Sequence, residues 1–281
     1  MSNDIVSTAW LAEHLGSPDI AILDASWHMP ATKRDAKAEF VAGHIPGAQF
    51  FDIDEIADTE SPLPHMLPSP EKFSARVRKL GVGDGQQVVV YDSAGLFSAA
   101  RVWWMFKVFG HDKVAVLDGG LPKWKAEGRA LAQGPASRPQ ERHFTAQLNA
   151  AMVKSRGEVA AALSGHTAQV ADARSPTRFR GEDIEPRPGV RPGHMPGARN
   201  VHYATLLNGD GTLKDADALR KIFAAAGVDA ARPVITSCGS GVTAAILSLA
   251  LTQIGAPSHA LYDGSWTEWG STPELPVAVG A

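Results

Sequence analysis

Residues 87–104 read "QVVVYDSAGLFSAARVWW" and residues 232–249 read "RPVITSCGSGVTAAILSL". Each stretch opens with a short β-branched run, crosses a turn of small residues, and continues into an apolar segment. The opening runs suit buried parallel strands, and the apolar segments suit helices closed by Gly110 and Gly255. Strand, loop and helix in alternation are the unit of an α/β sheet, whose ligands bind beyond the carboxyl ends of the strands. The loop of the second stretch holds the chain's only cysteine, Cys238.

The likeness extends outward from these two stretches. "AILDASW" (21–27) matches "QVADARS" (169–175), "AGHIPGAQFFDID" (42–54) matches "PGHMPGARNVHYA" (192–204), and "VLDGGLPKW" (116–124) matches "LYDGSWTEW" (261–269). Four segments in the same order describe a duplicated domain. At the offset of 145 residues shared by the last pair and the two loops, Cys238 falls over Ser93. Between the halves, "AQGPASRPQERHF" (132–144) is rich in proline, glycine and charge and has no apolar period. The expected division is a first domain over 1–135, a linker over 136–151 and a second domain over 152–281. Each domain is expected to be a mainly parallel sheet with helices on both faces.

Composition narrows the function. Of the 281 residues, 44% are hydrophobic and 20% charged, which suits a globular protein. A formal net charge of −3 supplies no basic field for nucleic acid or for an anionic membrane. Apolar runs are too short to span a bilayer, and the N-terminus has no basic start followed by an apolar core. A lone cysteine forms no internal disulfide and no paired-cysteine zinc site, so a reducing cytoplasm is the expected setting. No metal or organic cofactor is expected.

Cys238 stands between a strand and a helix. Gly239 and Gly241 let the loop curl so that its N–H groups converge, and the helix N-terminus near Thr243 adds partial positive charge. Both favour a thiolate, and both would hold the terminal sulfur of a persulfide. Cysteine phosphatases require arginine at the sixth position after the nucleophile, to clamp the phosphate. Here that position is Ala244. Sulfur transfer remains.

These segments together resemble the rhodanese superfamily, and specifically its two-domain sulfurtransferases. "CGSGVTA" is similar to the loop of the 3-mercaptopyruvate sulfurtransferases, with Gly239, Gly241, Val242 and Thr243 at the substrate. The thiosulfate branch carries Arg and Lys where this chain has Gly239 and Ser240. A cationic loop suits the compact thiosulfate dianion, whereas mercaptopyruvate, with one carboxylate remote from its sulfur, suits a neutral loop.

The resemblance places a carboxylate fork at Arg178 and Arg187 in "RSPTRFRGEDIEPRPG" (174–189), where Arg174 and Arg180 read more as ion-pairing residues. It also places Asp54 and His65, in "FFDIDEIADTESPLPHMLP" (50–68), beside Ser240 as a Ser–His–Asp set that protonates the departing pyruvate enolate. His44 and His194 recur in both halves and read as turn-fixing residues. Trp103, Trp104 and Phe106 read as core, and Trp266 and Trp269 as packing between the domains.

The implied partners are 3-mercaptopyruvate and a thiol acceptor such as thioredoxin or a small thiol, or cyanide, with a monomer as the default. Thiosulfate:cyanide sulfur transfer is the nearest rival. A non-enzymatic persulfide carrier, needing Cys238 but neither arginine nor His65, is the rival from another class.

Overall fold

The computed structural model describes residues 4–280; residues 1–3 and 281, at the outer ends of the two expected domains, lie outside it. It contains two five-stranded sheets. The first is built from β1 (Ile5–Val6), β2 (Ile20–Asp24), β3 (Gln49–Phe50), β4 (Gln87–Tyr91) and β5 (Val114–Leu117). The second is built from β6 (Val153–Lys154), β7 (Gln169–Asp172), β8 (Arg199–Asn200), β9 (Val234–Ser237) and β10 (His259–Tyr262). The strand orders are β1-β5-β4-β2-β3 and β6-β10-β9-β7-β8, with every pairing parallel. The sequence repeat is thus a repeat of topology.

Helices flank both sheets. The two that follow the quoted strands, Ala99–Val108 and Ala244–Gln253, are sheathed in protein: Lys107 is the one half-buried residue of the first, and Ala244–Leu251 are all buried in the second. A helix apolar on every side belongs in a core, which is why neither stretch shows a polar stripe. Among the described residues no helix is long and apolar enough to cross a membrane.

By packing, the chain forms two compact units, and two short segments cross over between them. The first unit comprises the chain to Thr59, Leu67–Asn149 and Leu207–Leu213; the second comprises Glu60–Met66, Ala150–Leu206 and the chain from Lys214. The expected linker is not a free tether over its first part. Thr145 N–H donates to Asp84 Oδ1 at 2.9 Å, and Phe144, 2% exposed, joins a ring cluster with Phe73 and Phe106 in the first unit.

His44 and His194 fix equivalent turns. Each stacks on a phenylalanine, Phe40 or Phe179, with ring centroids 3.9 Å apart, and hydrogen-bonds that residue's carbonyl through Nδ1 at 2.8 Å. Trp266 and Trp269 differ from expectation. Both lie in the core of the second unit, with their indole N–H groups donating to Arg191 O and Pro276 O at 2.9 Å. An indole is fully buried only where its N–H finds an acceptor, and these internal carbonyls supply one.

Candidate active site

β9 ends at Ser237 and the helix begins at Ala244, so Cys238 opens the loop 238–243. It is 2% exposed. Its carbonyl accepts from Trp266 N–H at 2.9 Å, and the Gly239 carbonyl accepts from Thr267 N–H at 2.9 Å and from the Thr267 hydroxyl at 2.6 Å. A trans peptide points its N–H opposite to its C=O. The Gly239 and Ser240 N–H groups are therefore turned away from the helix Ser265–Ser271 that binds those carbonyls. Gly241 takes φ +77°, the left-handed curl expected of it. Gly239 is glycine for another reason: a Cβ there would lie 3.1 Å from an Arg178 guanidinium nitrogen. Val242 is buried, and the Val242 and Thr243 carbonyls accept the first helical N–H groups, from Ala245 and Ile246.

The first unit shows what such a loop holds. Leu121 N–H donates to Asp92 O at 3.0 Å as Trp266 N–H does to Cys238 O, and Asp24 lies opposite Tyr91 as Asp172 lies opposite Ser237. Asp92, not Ser93, therefore occupies the cysteine's place. The first loop, 92–98, is one residue longer than 238–243, so an overlay anchored on the helices slips by one at the strand. The Asp92 carboxylate accepts the N–H groups of Ala94, Phe97, Ser98 and Ala99 at 2.8–2.9 Å. Loop and helix N–H groups thus converge on an anion carried by the first loop residue, as a nest at a helix N-terminus does.

The expected arginines gather at the Cys238 loop. Arg187 donates to Ser240 Oγ at 3.4 Å. Arg178 lies against Gly239, held by two hydrogen bonds to Glu185, at 3.2 Å to Oε1 and 2.5 Å to Oε2. Glu185 also takes Arg174 Nη1 at 2.9 Å. Arg174 departs from the surface ion pair expected of it. It is 2% exposed, paired with Asp172 at 2.8 Å, and its guanidinium lies 4.6 Å from the Trp266 ring centroid. Burial opposes the Arg174 charge, but Asp172 and Glu185 outweigh it and hold the guanidinium above its ordinary range. Arg180 does make a surface pair, with Glu182.

His65 belongs to the crossover segment of the second unit. Its Nδ1 lies 3.0 Å from Ser240 Oγ, both residues are 6% exposed, and it takes φ +60°. A non-glycine residue in that conformation is strained unless its surroundings hold it. Arg187 donates to Ser240 Oγ, so the hydroxyl proton is free to donate to Nδ1 in the tautomer that leaves that nitrogen bare. Asp54 lies in the first unit, where its carboxylate accepts from Trp27 Nε1 at 3.0 Å.

Sequence reasoning missed two residues here. Glu185 aligns the arginines, and Ser265 accepts the Cys238 N–H at 3.2 Å while donating to Tyr262 O at 2.8 Å. Ser265 takes φ +50° where the repeat has Gly120 at φ +53°. A serine matched to a glycine in "DGSW" and "DGGL" was the available signal.

The rhodanese-like domain profile matches residues 7–127 and 155–272. The chain belongs to the rhodanese family. This rhodanese-family chain is 47% identical to the 3-mercaptopyruvate sulfurtransferase of Escherichia coli K12, over 97% of its own length and 96% of the relative's. It is 43% identical to the thiosulfate sulfurtransferase of Rattus norvegicus, over 98% and 95%. Its fold matches the crystal structure of SseA from Escherichia coli, described as a 3-mercaptopyruvate sulfotransferase with the rhodanese fold. That match has a TM-score of 0.87 and 44% identity and covers 94% of this chain and 99% of that one.

Proposed function

We propose that this chain is a 3-mercaptopyruvate sulfurtransferase working through a Cys238 persulfide. The observation that carries this reading is the convergence of two arginines on an uncharged nucleophile loop, Arg178 at Gly239 and Arg187 at Ser240. Overall identity to relatives named for either sulfur donor is similar, so the loop decides between them. The loop itself carries no charged side chain, and the two planar guanidinium groups beside it suit the carboxylate of mercaptopyruvate rather than the compact thiosulfate dianion.

In the first half-reaction Arg178 and Arg187 hold the carboxylate and ketone oxygens. The Cys238 thiolate, held by the loop N–H groups, attacks the substrate sulfur. An S–S bond forms, the substrate C–S bond breaks, and the electron pair leaves on carbon as the pyruvate enolate. The proton that the substrate thiol brings, passed through Ser240 and His65, converts the enolate to pyruvate and leaves Cys238 as the persulfide anion. In the second half-reaction an acceptor thiolate attacks the outer sulfur, taking it as a persulfide and restoring the Cys238 thiolate. Cyanide would leave as thiocyanate. A small thiol or a thioredoxin serves as acceptor, in the cytoplasm, with the enzyme as a monomer.

The test compares kcat/KM for 3-mercaptopyruvate and thiosulfate with one common thiol. Mercaptopyruvate is expected to be preferred. Arg178→Lys and Arg187→Lys are each expected to lower its kcat/KM by roughly 10- to 100-fold through loss of bidentate contacts. A preference for thiosulfate would overturn the assignment of donor. Stoichiometric sulfur loading that ignores both arginines and His65 would favour a carrier.

A further inference from the structure

The two units treat one buried aspartate differently. In the second unit Asp172, at the end of β7, accepts the Arg174 backbone N–H at 3.0 Å and pairs with its guanidinium. That guanidinium also donates to Gly193 O at 2.8 Å and lies over Trp266. In the first unit Asp24 ends β2 in the same way, accepting the Ser26 N–H at 2.9 Å. Ser26 stands in place of Arg174, Leu121 in place of Trp266, and Gly43 in place of Gly193. A cation and an aromatic ring are thus exchanged for a serine and a leucine, and a cavity of about 380 Å³ lies there. Its walls include Asp24, Ser26, Phe40, Gly43, Leu121 and Leu131.

Asp24 is 1% exposed. Oδ1 takes the Ser26 N–H and hydroxyl, while buried Oδ2 accepts no hydrogen bond of ordinary length, with the Tyr91 hydroxyl beside it. Arg34, also lining the cavity, is committed to Glu39 through two contacts of 2.7 Å. Lys125, exposed, lines the cavity as well. A ligand matching this arrangement carries a planar cation for Asp24, an apolar stem, and an anionic end for Lys125.

We propose that the first unit binds a small ω-guanidino carboxylate, its guanidinium on Asp24 where the Arg174 side chain sits on Asp172. The cavity volume lies in the range of small-molecule sites. The apolar stem runs along Phe40, Leu121 and Leu131. The site is separate from the sulfur-transfer reading and stands whether or not that reading does.

Calorimetric titration of the full chain with 4-guanidinobutyrate tests this, with the uncharged 4-ureidobutyrate as control. Saturable binding is expected below about 10 mM, with the ureido compound at least roughly tenfold weaker, as loss of a charge-assisted pair predicts. Asp24→Asn is expected to weaken binding to a similar degree. Ser26→Arg, which supplies the second unit's internal guanidinium, is expected to abolish binding while leaving sulfur transfer unchanged. It also serves if Asp24→Asn folds poorly. Absence of saturation, equal binding of the ureido compound, or undiminished binding to Ser26→Arg would each overturn the proposal.

Discussion

The loops 92–98 and 238–243 follow the same strand into the same kind of helix, yet one is filled from within and the other is not. In the first, Asp92 folds back and takes four backbone N–H groups. In the second, Cys238 stands in the same place, and its loop is anchored through its carbonyls to Trp266 and Thr267. The difference teaches that a duplicated domain can exchange the cysteine for another residue and still keep an anion nest. The nest persists in the first loop, occupied by the Asp92 carboxylate, and under the mechanism proposed above the second loop turns the equivalent donors on Cys238.

The comparison can be broken most decisively at the nucleophile. Cys238→Ser is expected to lower sulfur transfer by at least roughly a thousandfold, because a hydroxyl forms no persulfide. Activity retained by that variant would place chemistry outside the second loop. Asp172→Asn comes next. It removes one partner of a buried pair, leaving Arg174 desolvated, and a loss of about 3–5 kcal/mol in denaturant-unfolding stability is expected.

The corresponding change in the first unit has the opposite sign. Burial pushes the Asp24 carboxyl from 3.8 up to about 6. Across that window the folded chain keeps a proton that the unfolded chain has lost, so stability falls as pH rises through it. Asp24→Asn is expected to flatten this slope and to stabilise the protein at pH 7 by up to about 3 kcal/mol. Unfolding midpoints at pH 4 and pH 7 check it; parallel pH profiles for the two chains would refute it.

The smallest effect sharpens the alignment of the loops. In a Cys238→Ser background, Asp92→Cys is expected to react with iodoacetamide at neutral pH at least roughly tenfold faster than Ser93→Cys, because only the former meets the converging donors. The reverse order would restore the overlay of Cys238 on Ser93.

Much of this was legible in the residues. The repeat, the parallel sheets and the place of Cys238 follow from β-branched runs, small-residue turns and apolar helices. The grouping of Arg178, Arg187, Ser240 and His65 followed from family likeness rather than from spacing, since His65 is 175 residues from Ser240. What stayed hidden has physical reasons. A one-residue difference in loop length leaves no trace in hydrophobic period, so an overlay of the residues alone sets Ser93 rather than Asp92 against Cys238. Glu185 lies in a run of charges, and nothing in a sequence marks which one is buried between two arginines. The acceptors of the Trp266 and Trp269 indoles, the Arg191 and Pro276 carbonyls, are backbone atoms common to every residue type, so the residues alone do not distinguish a core tryptophan from one at a boundary.

The crossover segments bear on how the chain is made. The first unit is not finished at Asn149, since it waits for Leu207–Leu213. A ribosome releasing this chain must add everything through Leu213 before that unit has all its parts. By then β6, β7 and β8 of the second sheet have already been synthesised. Completion of the first unit thus overlaps with synthesis of the second sheet, whose β9 and β10 still follow Leu213.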